Sequence, residues 1–351
     1  MNSATSHNRL VAFWLFSVAI MVFAMIVLGG VTRLTESGLS MVEWRPVTGW
    51  LPPFSDSEWE RVFGMYRGSP EYREINADMT LPEFKGIFWL EFLHRLWGRL
   101  IGLAFFVPFV FFLTKGWVRG RRALALGGIL VLGGLQGGMG WYMVKSGLVD
   151  RPDVSHYRLA AHLMLAMAIY ASLLWCGLRF LSGPTPYREG TVRLRRLSRW
   201  LAALVFVTVF SGALVAGLDA GLIYNSFPLM DGELIPDGLL DMQPVYLNLF
   251  ENHLTVQFDH RVLAIFTFCM IIYTCIVAHK LPTPALARRL ANGLAGMACV
   301  QVGLGISTLL LAVPVALAAL HQAGAVVLLG LATWLAFEMQ GACRERKQKI
   351  L

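Results

Sequence analysis

Apolar residues gather in eight long blocks along this chain, separated by shorter polar stretches. The blocks run from Leu10 to Val31, Ile87 to Leu113, Ala123 to Val144, Tyr157 to Phe180, Leu201 to Leu218, Leu254 to Ala278, Leu290 to Ala312 and Ala316 to Gln340. Each is near the roughly 20 residues that a helix needs to cross a bilayer. The pattern therefore predicts an all-α integral membrane protein with eight transmembrane helices. The first block is too long for the apolar core of a secretory signal and has no A-x-A site before Arg33, so it is read as a retained span.

The polar stretches alternate in charge. Lys115, Arg119, Arg121 and Arg122 follow the second block; Arg179, Arg188, Arg193, Arg195, Arg196 and Arg199 surround the link after the fourth; Lys280, Arg288 and Arg289 follow the sixth; Arg344, Arg346, Lys347 and Lys349 come after the eighth. The connection from Leu218 to Glu251 has six acidic residues and no Lys or Arg, and the long first connection has nine acidic residues against six basic. By the positive-inside rule the basic links are cytoplasmic, which places both termini there; the membrane is expected to be the cell's inner membrane.

Composition agrees. Of the 351 residues 56% are hydrophobic and only 15% charged, against about 25% charged in soluble proteins. The net charge of +8 is distributed as a topology signal facing anionic lipid, so no nucleic-acid partner is expected. Cys176, Cys269, Cys275, Cys299 and Cys343 fall in blocks or in the basic tail, and no disulfide framework or C-x-x-C motif is present.

The two halves resemble each other in order. Glu91-Phe92-Leu93-His94-Arg95 matches Gln257-Phe258-Asp259-His260-Arg261, Gln136-Gly137-Gly138-Met139-Gly140 matches Gln301-Val302-Gly303-Leu304-Gly305, and Ala160-Ala161-His162 matches Ala319-Leu320-His321. Glu36-Ser37-Gly38-Leu39 likewise matches Asp219-Ala220-Gly221-Leu222. The repeat predicts two pseudo-symmetric four-helix bundles, residues 1–183 and 184–351, related by an axis along the membrane normal. The glycines of the third and seventh blocks suit either close helix contacts or the approach of a flat ligand.

Four histidines follow this repeat. His94, His162, His260 and His321 each lie five to seven residues inside a block that starts at the outer face, which is roughly 8 to 11 Å deep at 1.5 Å per residue. A lone histidine in a span is most simply a packing residue. Two matched pairs, with no thiolate or carboxylate cluster beside them, suit bis-histidine ligation of a haem in each half better than zinc. Arg95, Arg158 and Arg261 stand beside or one turn outward of these histidines as candidate partners for haem propionates; a snorkelling interfacial arginine is the plainer alternative for Arg158. Glu91, at i−3 from His94, is a carboxylate inside a span where the repeat has the neutral Gln257. That difference suggests a chemical site in the first half and an electron-transfer or structural haem in the second, unless Glu91 serves only to pair with Arg95 or Arg99. His156 and His253 are read as interfacial or supporting residues, His7 and His279 as incidental.

The stretches SGLSMVEWRPVTGWLPP (Ser37 to Pro53), FKGIFWLEFLHRLWGR (Phe84 to Arg99), YRLAAHL (Tyr157 to Leu163), AGLIYNSFPLM (Ala220 to Met230) and VQFDHR (Val256 to Arg261) resemble the haem A synthase family, in the branch of proteobacteria and mitochondria. The resemblance implies an oxidoreductase that converts the C8 methyl of haem O to a formyl group, giving haem A for cytochrome oxidase. It implies His94 and His162 as ligands of the substrate haem iron, His260 and His321 as ligands of a haem b, and Glu91 as the residue assisting oxidation. It also implies a haem O synthase upstream as donor and a redox partner that the sequence does not identify; a homo-oligomer stays open. The cysteine pair that some Gram-positive relatives carry in their outer loops is absent from these. A quinol-linked di-haem b-type electron-transfer protein explains the histidines equally but gives Glu91 no role; a transporter built from parallel repeats is the third reading.

Overall fold

The computed structural model describes residues 3–44, 48–147, 154–182 and 191–340. Arg45, Pro46 and Val47 of the first motif, Arg188, the proposed boundary at 183/184, Cys343 and the basic cluster Arg344, Arg346, Lys347 and Lys349 lie outside the described residues.

The described chain is helical. Its helices are α1 (Ser3–Leu34), α2 (Asp56–Arg67), α3 (Pro70–Glu74), α4 (Leu81–Thr114), α5 (Arg121–Gly147), α6 (His156–Leu181), α7 (Val192–Gly217), α8 (Asn248–Glu251), α9 (His253–Lys280), α10 (Ala285–Leu310) and α11 (Val315–Glu338), with short 3₁₀ turns at Ala220–Leu222 and Val245–Leu247. Eight of them, α1, α4, α5, α6, α7, α9, α10 and α11, are long and apolar enough to cross a membrane. They coincide with the eight apolar blocks.

Helix ends depart from the apolar blocks at several places, two of which have a clear local reason. α7 starts at Val192, nine residues before the block, because Leu194 and Ser198 are buried while Arg193, Arg195, Arg196 and Arg199 ride on the turns between them. Arginine is a good helix former, so hydropathy marks the lipid boundary and not the helix end. α10 stops at Leu310, and the chain reverses through Ala312 and Val313, both left-handed at φ 55° and 59°, into Pro314 and α11.

The first connection holds structure that the apolar pattern did not show. Ser55 caps α2 by accepting from the Glu58 N–H at 3.2 Å, and the Glu58 carboxylate accepts from the Phe54 N–H at 2.8 Å. The backbone N–H of Phe54, and after it that of Ser55, lower the Glu58 pKa. This reciprocal cap starts an amphipathic helix. Trp59, Phe63 and Tyr66 of α2 then bury their rings against Phe84, Phe88 and Phe92 of α4. The connection after α7 is built instead from 3₁₀ turns and the single turn of α8.

Around the first four spanning helices α1 packs on α4 and α6, and α5 on α4 and α6; around the last four α7 packs on α9 and α11, and α10 on α9 and α11. Contacts between the sets run through α1–α11, α6–α7 and α6–α11. One is polar: the Gln322 amide of α11 donates to the Ile26 carbonyl of α1 at 2.7 Å, and a Cβ on Gly30 would lie 2.4 Å from the Gln322 oxygen. A large apolar core runs from Val11, Leu15 and Ala19 of α1 to Leu328, Leu329 and Ala332 of α11.

Candidate functional site

One cavity of about 1790 Å³ lies between the spanning helices, and His94, His162, His260 and His321 all line it. His94 on α4 and His162 on α6 are within electrostatic reach of each other, as are His260 on α9 and His321 on α11. The four helices thus bring the imidazoles into the two pairs that the repeat predicts.

Each ring is seated on a glycine of the preceding spanning helix. A Cβ added to Gly29 would stand 3.0 Å from the His94 Cε1; the same test gives 3.3 Å for Gly140 against His162, 2.9 Å for Gly212 against His260 and 2.8 Å for Gly305 against His321. Gly29 and Gly212 correspond in the repeat, as do Gly140 and Gly305. The glycine is required by proximity: any side chain would push the imidazole away. In all four the nearest ring atom is Cε1, followed by Nδ1; at Gly212 and Gly305 Nε2 also lies 3.6 Å away.

The Nδ1 atoms of His94, His162 and His321 are buried without a hydrogen-bond partner among the described residues. His260 Nδ1 instead stands 2.8 Å from Ser211 Oγ, and Ser211 donates its own hydrogen to the Thr208 carbonyl at 2.8 Å. Nδ1 must then carry the proton, leaving the lone pair on Nε2. Gln136 and Gln301 hold the backbones of their partners, donating to the His162 and His321 carbonyls at 3.1 and 2.8 Å. The Gln136 amide also lies 3.2 Å from His162 Nε2, a contact that coordination of that nitrogen would replace. Gly133, Gly134 and Gly137 of α5 line the cavity with nothing within 4 Å of a Cβ, so these glycines open toward a ligand space and not onto another helix.

The two pairs differ again at the position one turn before the first histidine. Glu91 is 3% exposed. One of its oxygens accepts from the Ser40 hydroxyl at 2.7 Å and the Met41 N–H at 2.6 Å, while the other pairs with Arg95. The pairing with Arg95 that the spacing allowed is therefore made, on a carboxylate that also walls the cavity. In the second half the Gln257 amide donates to the Tyr224 carbonyl at 3.2 Å, and its oxygen accepts from Arg261 at 3.3 Å.

The two arginines act alike. Arg95 donates to the Met41 and Glu43 carbonyls at 2.9 and 3.1 Å, and Arg261 to the Tyr224 and Ser226 carbonyls at 2.8 and 2.9 Å. Both line the cavity while tying down the connection above it; Arg261 Nε is buried with no hydrogen-bond partner among the described residues. Arg158 does not belong with them. Its guanidinium lies 4.8 Å from the Tyr142 ring, on the neighbouring helix, and it is not among the residues of the cavity wall.

Arg33 and Glu71 escaped the sequence reading, and the two histidines read as interfacial or supporting also reach the wall. Arg33, at the end of α1, lines the cavity and bridges to Asp219 at 2.7 Å and the Ala216 carbonyl at 2.9 Å, joining the halves. His156 and His253 also line it, with His156 Nε2 3.6 Å from Glu251. Glu71 of α3 is a further acidic wall residue, with Glu36, Glu91 and Asp219. The signal for Arg33 was available: its repeat counterpart is Ala216, so a cation appears on one side only.

The residues fit a haem-type ligand. Two imidazoles per half face one space from glycine seats, and among the described residues no group of three or more His, Cys, Asp or Glu gathers as a metal cluster would require. The model of a family described as cytochrome oxidase assembly protein, COX15-CtaA, matches residues 12–333. The chain is 51% identical over 335 residues to the heme A synthase of Nitrosospira multiformis, covering 94% of this chain and 93% of that protein. It is 48% identical over 333 residues to that of Nitrosomonas eutropha, covering 94% of each. It is also 47% identical over 344 residues to the human heme A synthase COX15, covering 95% of this chain and 83% of that protein.

Proposed function

The chain belongs to the COX15-CtaA family of cytochrome oxidase assembly proteins, and from that premise we propose that it is a multi-pass membrane enzyme of haem A formation, oxidising the C8 methyl of haem O to a formyl group. The observation that carries this reading is the break in the repeat at Glu91: four glycine-seated histidines around one cavity, with a clamped carboxylate beside only the first pair. A cavity wall of that kind supports one reactive and one unreactive haem position. His94 and His162 hold the substrate haem, residues 1–183 forming its half; His260 and His321 hold a resident haem b in residues 184–351. When bound, haem b supplies one-electron redox chemistry.

The chain's own residues do the rest. Glu91 is fixed by Ser40, Met41 and Arg95, so its charge meets the reacting methyl without reorganising. From there it accepts a proton as the methyl is oxidised. Arg95 and Arg261 keep the outer connections over the cavity and offer positive charge to the propionates. Apolar walls exclude water from the rest of the site. In this reading the membrane is the cell's inner membrane, both termini are cytoplasmic, and haem O arrives from the upstream haem O synthase.

The test is haem analysis of the purified protein, produced with and without a source of haem O. Extracted-haem chromatography with a pyridine haemochrome spectrum is expected to show haem b in both cases and haem O with haem A only in the first. Haem b alone in both would overturn the reading in favour of a di-haem electron-transfer protein.

A further inference from the structure

Of the four cavity histidines, His260 alone has a partner for Nδ1 among the described residues. Ser211 Oγ stands 2.8 Å from it and has given its own hydrogen to the Thr208 carbonyl, so the hydroxyl accepts from His260. The repeat shows this contact to be particular to the second half. Gly212 corresponds to Gly29, which sets Ser211 against Leu28 of α1, a side chain with no polar atom. The other histidine of each pair is treated alike in both halves, its carbonyl held by Gln136 or Gln301.

A second polar link joins the same two helices. The Thr208 and Thr267 hydroxyls are 2.7 Å apart, and because Thr208 donates to the Leu204 carbonyl at 2.9 Å, Thr267 donates to Thr208. Their repeat counterparts are the apolar Met25 and Ile101. α7 therefore grips α9 at two polar points, one turn apart on α7, where the first half has apolar side chains at all three positions. Thr208 and Thr267 line the cavity, whereas Ser211 is not among the residues of its wall. Ser211 thus reaches a ligand in the cavity only through His260.

Resting on the haem b assignment proposed above, we infer that Ser211 is a positioning residue that fixes the His260 tautomer and lowers the reduction potential of the haem b that His260 holds. By accepting from Nδ1 the hydroxyl keeps the proton on that nitrogen, orients the ring and leaves the Nε2 lone pair for the iron. It also draws the proton partly off the ring, so the imidazole carries more electron density and favours the ferric over the ferrous state. His94 feels no such pull, its Nδ1 having no partner among the described residues. One repeated scaffold thus offers its two pockets first ligands of different donor strength. The proton stays on His260, and no group is transferred.

The test is a potentiometric titration of the full-length protein, produced without a source of haem O and followed in the α band of haem b. Ser211→Ala is expected to keep haem b low-spin and to favour its reduction by about tenfold, a rise of about 60 mV for one electron, with a shift in the g values of the ferric signal. Ser211→Thr, which keeps the hydroxyl, should restore the wild-type midpoint. Thr267→Val cuts the other link between α7 and α9 without touching His260, and should move the midpoint far less. An unmoved midpoint in Ser211→Ala overturns the inference. So does an equal rise in Thr267→Val, because helix packing and not the histidine contact would then set the potential. If Ser211→Ala loses its haem, Ser211→Cys decides, its sulfur being a weaker acceptor: a smaller rise supports the inference and a wild-type midpoint overturns it. Wild-type protein without haem b would bring down the proposed function and this inference together, whereas haem b present with an unmoved midpoint brings down the inference alone.

Discussion

The two histidine pairs occupy the same scaffold but present opposite hydrogen-bonding polarity to the connection above them. In the first half the backbone offers an N–H, from Met41, to a carboxylate; in the second the corresponding residue, Tyr224, offers its carbonyl to the amide of Gln257. The arginine one turn on is the same in both, and in both it holds backbone carbonyls of the connection, two for Arg95 and three for Arg261. What differs is one side chain and the backbone group that answers it. In the proposed reading, a repeated unit acquires chemistry on one side without changing how its histidines are seated. The exchange of acid for amide is matched by the connection, so neither side chain belongs in the other's place.

The comparison is broken most severely by removing the grip. His260→Ala should abolish the haem b signal while leaving the first site to load, and His94→Ala should do the reverse; both are read by extracted-haem chromatography, and a crossed result reverses the assignment of the halves. Next in size is the carboxylate. Glu91→Gln should bind haem O normally and lose on the order of a hundredfold or more in conversion, the range of a positioned acid–base group. The mirror change, Gln257→Glu, should add no oxidation and cost about 1–3 kcal/mol, since it sets an acceptor against the Tyr224 carbonyl; a melting curve measures it.

The seats give a graded series. Alanine at Gly305, Gly212, Gly29 and Gly140 meets its imidazole at 2.8, 2.9, 3.0 and 3.3 Å, so haem loss should fall in that order, with overpacking costs of about 1–3 kcal/mol at the tight end. Equal effects at all four would show that the seats are not what places the rings. The smallest effect belongs to Asp219→Asn. Its side chain is 62% exposed in the bridge to Arg33, and an ion pair in that setting contributes at most about 1 kcal/mol to the melting transition.

Much of this was legible in the residues because the forces involved are local or periodic. Eight apolar blocks gave eight spanning helices, and the repeat put His94 with His162 and His260 with His321. What escaped depended on contacts between distant segments. α2 is twelve residues with a capping serine and three aromatic rings, and its burial exists only once α4 supplies Phe84, Phe88 and Phe92. The loop-holding role of Arg95 and Arg261 depends on backbone carbonyls, which a sequence does not display. Arg158 shows the converse. Its i, i+4 spacing from His162 was correct, but a long flexible side chain goes to the best partner in reach, here the Tyr142 face.

The bond from Gln322 to the Ile26 carbonyl concerns the modularity of the chain. At the equivalent place in the first half the residue after the histidine is Leu163, which offers no such donor, so the interlock runs one way only. Separating the halves would strand the Gln322 amide in apolar surroundings, at about 1–3 kcal/mol for a buried group left unsatisfied, while the Ile26 carbonyl, inside α1, keeps its helical partner. The second copy of the unit has thus ceased to be a freestanding module: gene fission between the two would yield fragments that must find each other before either is complete.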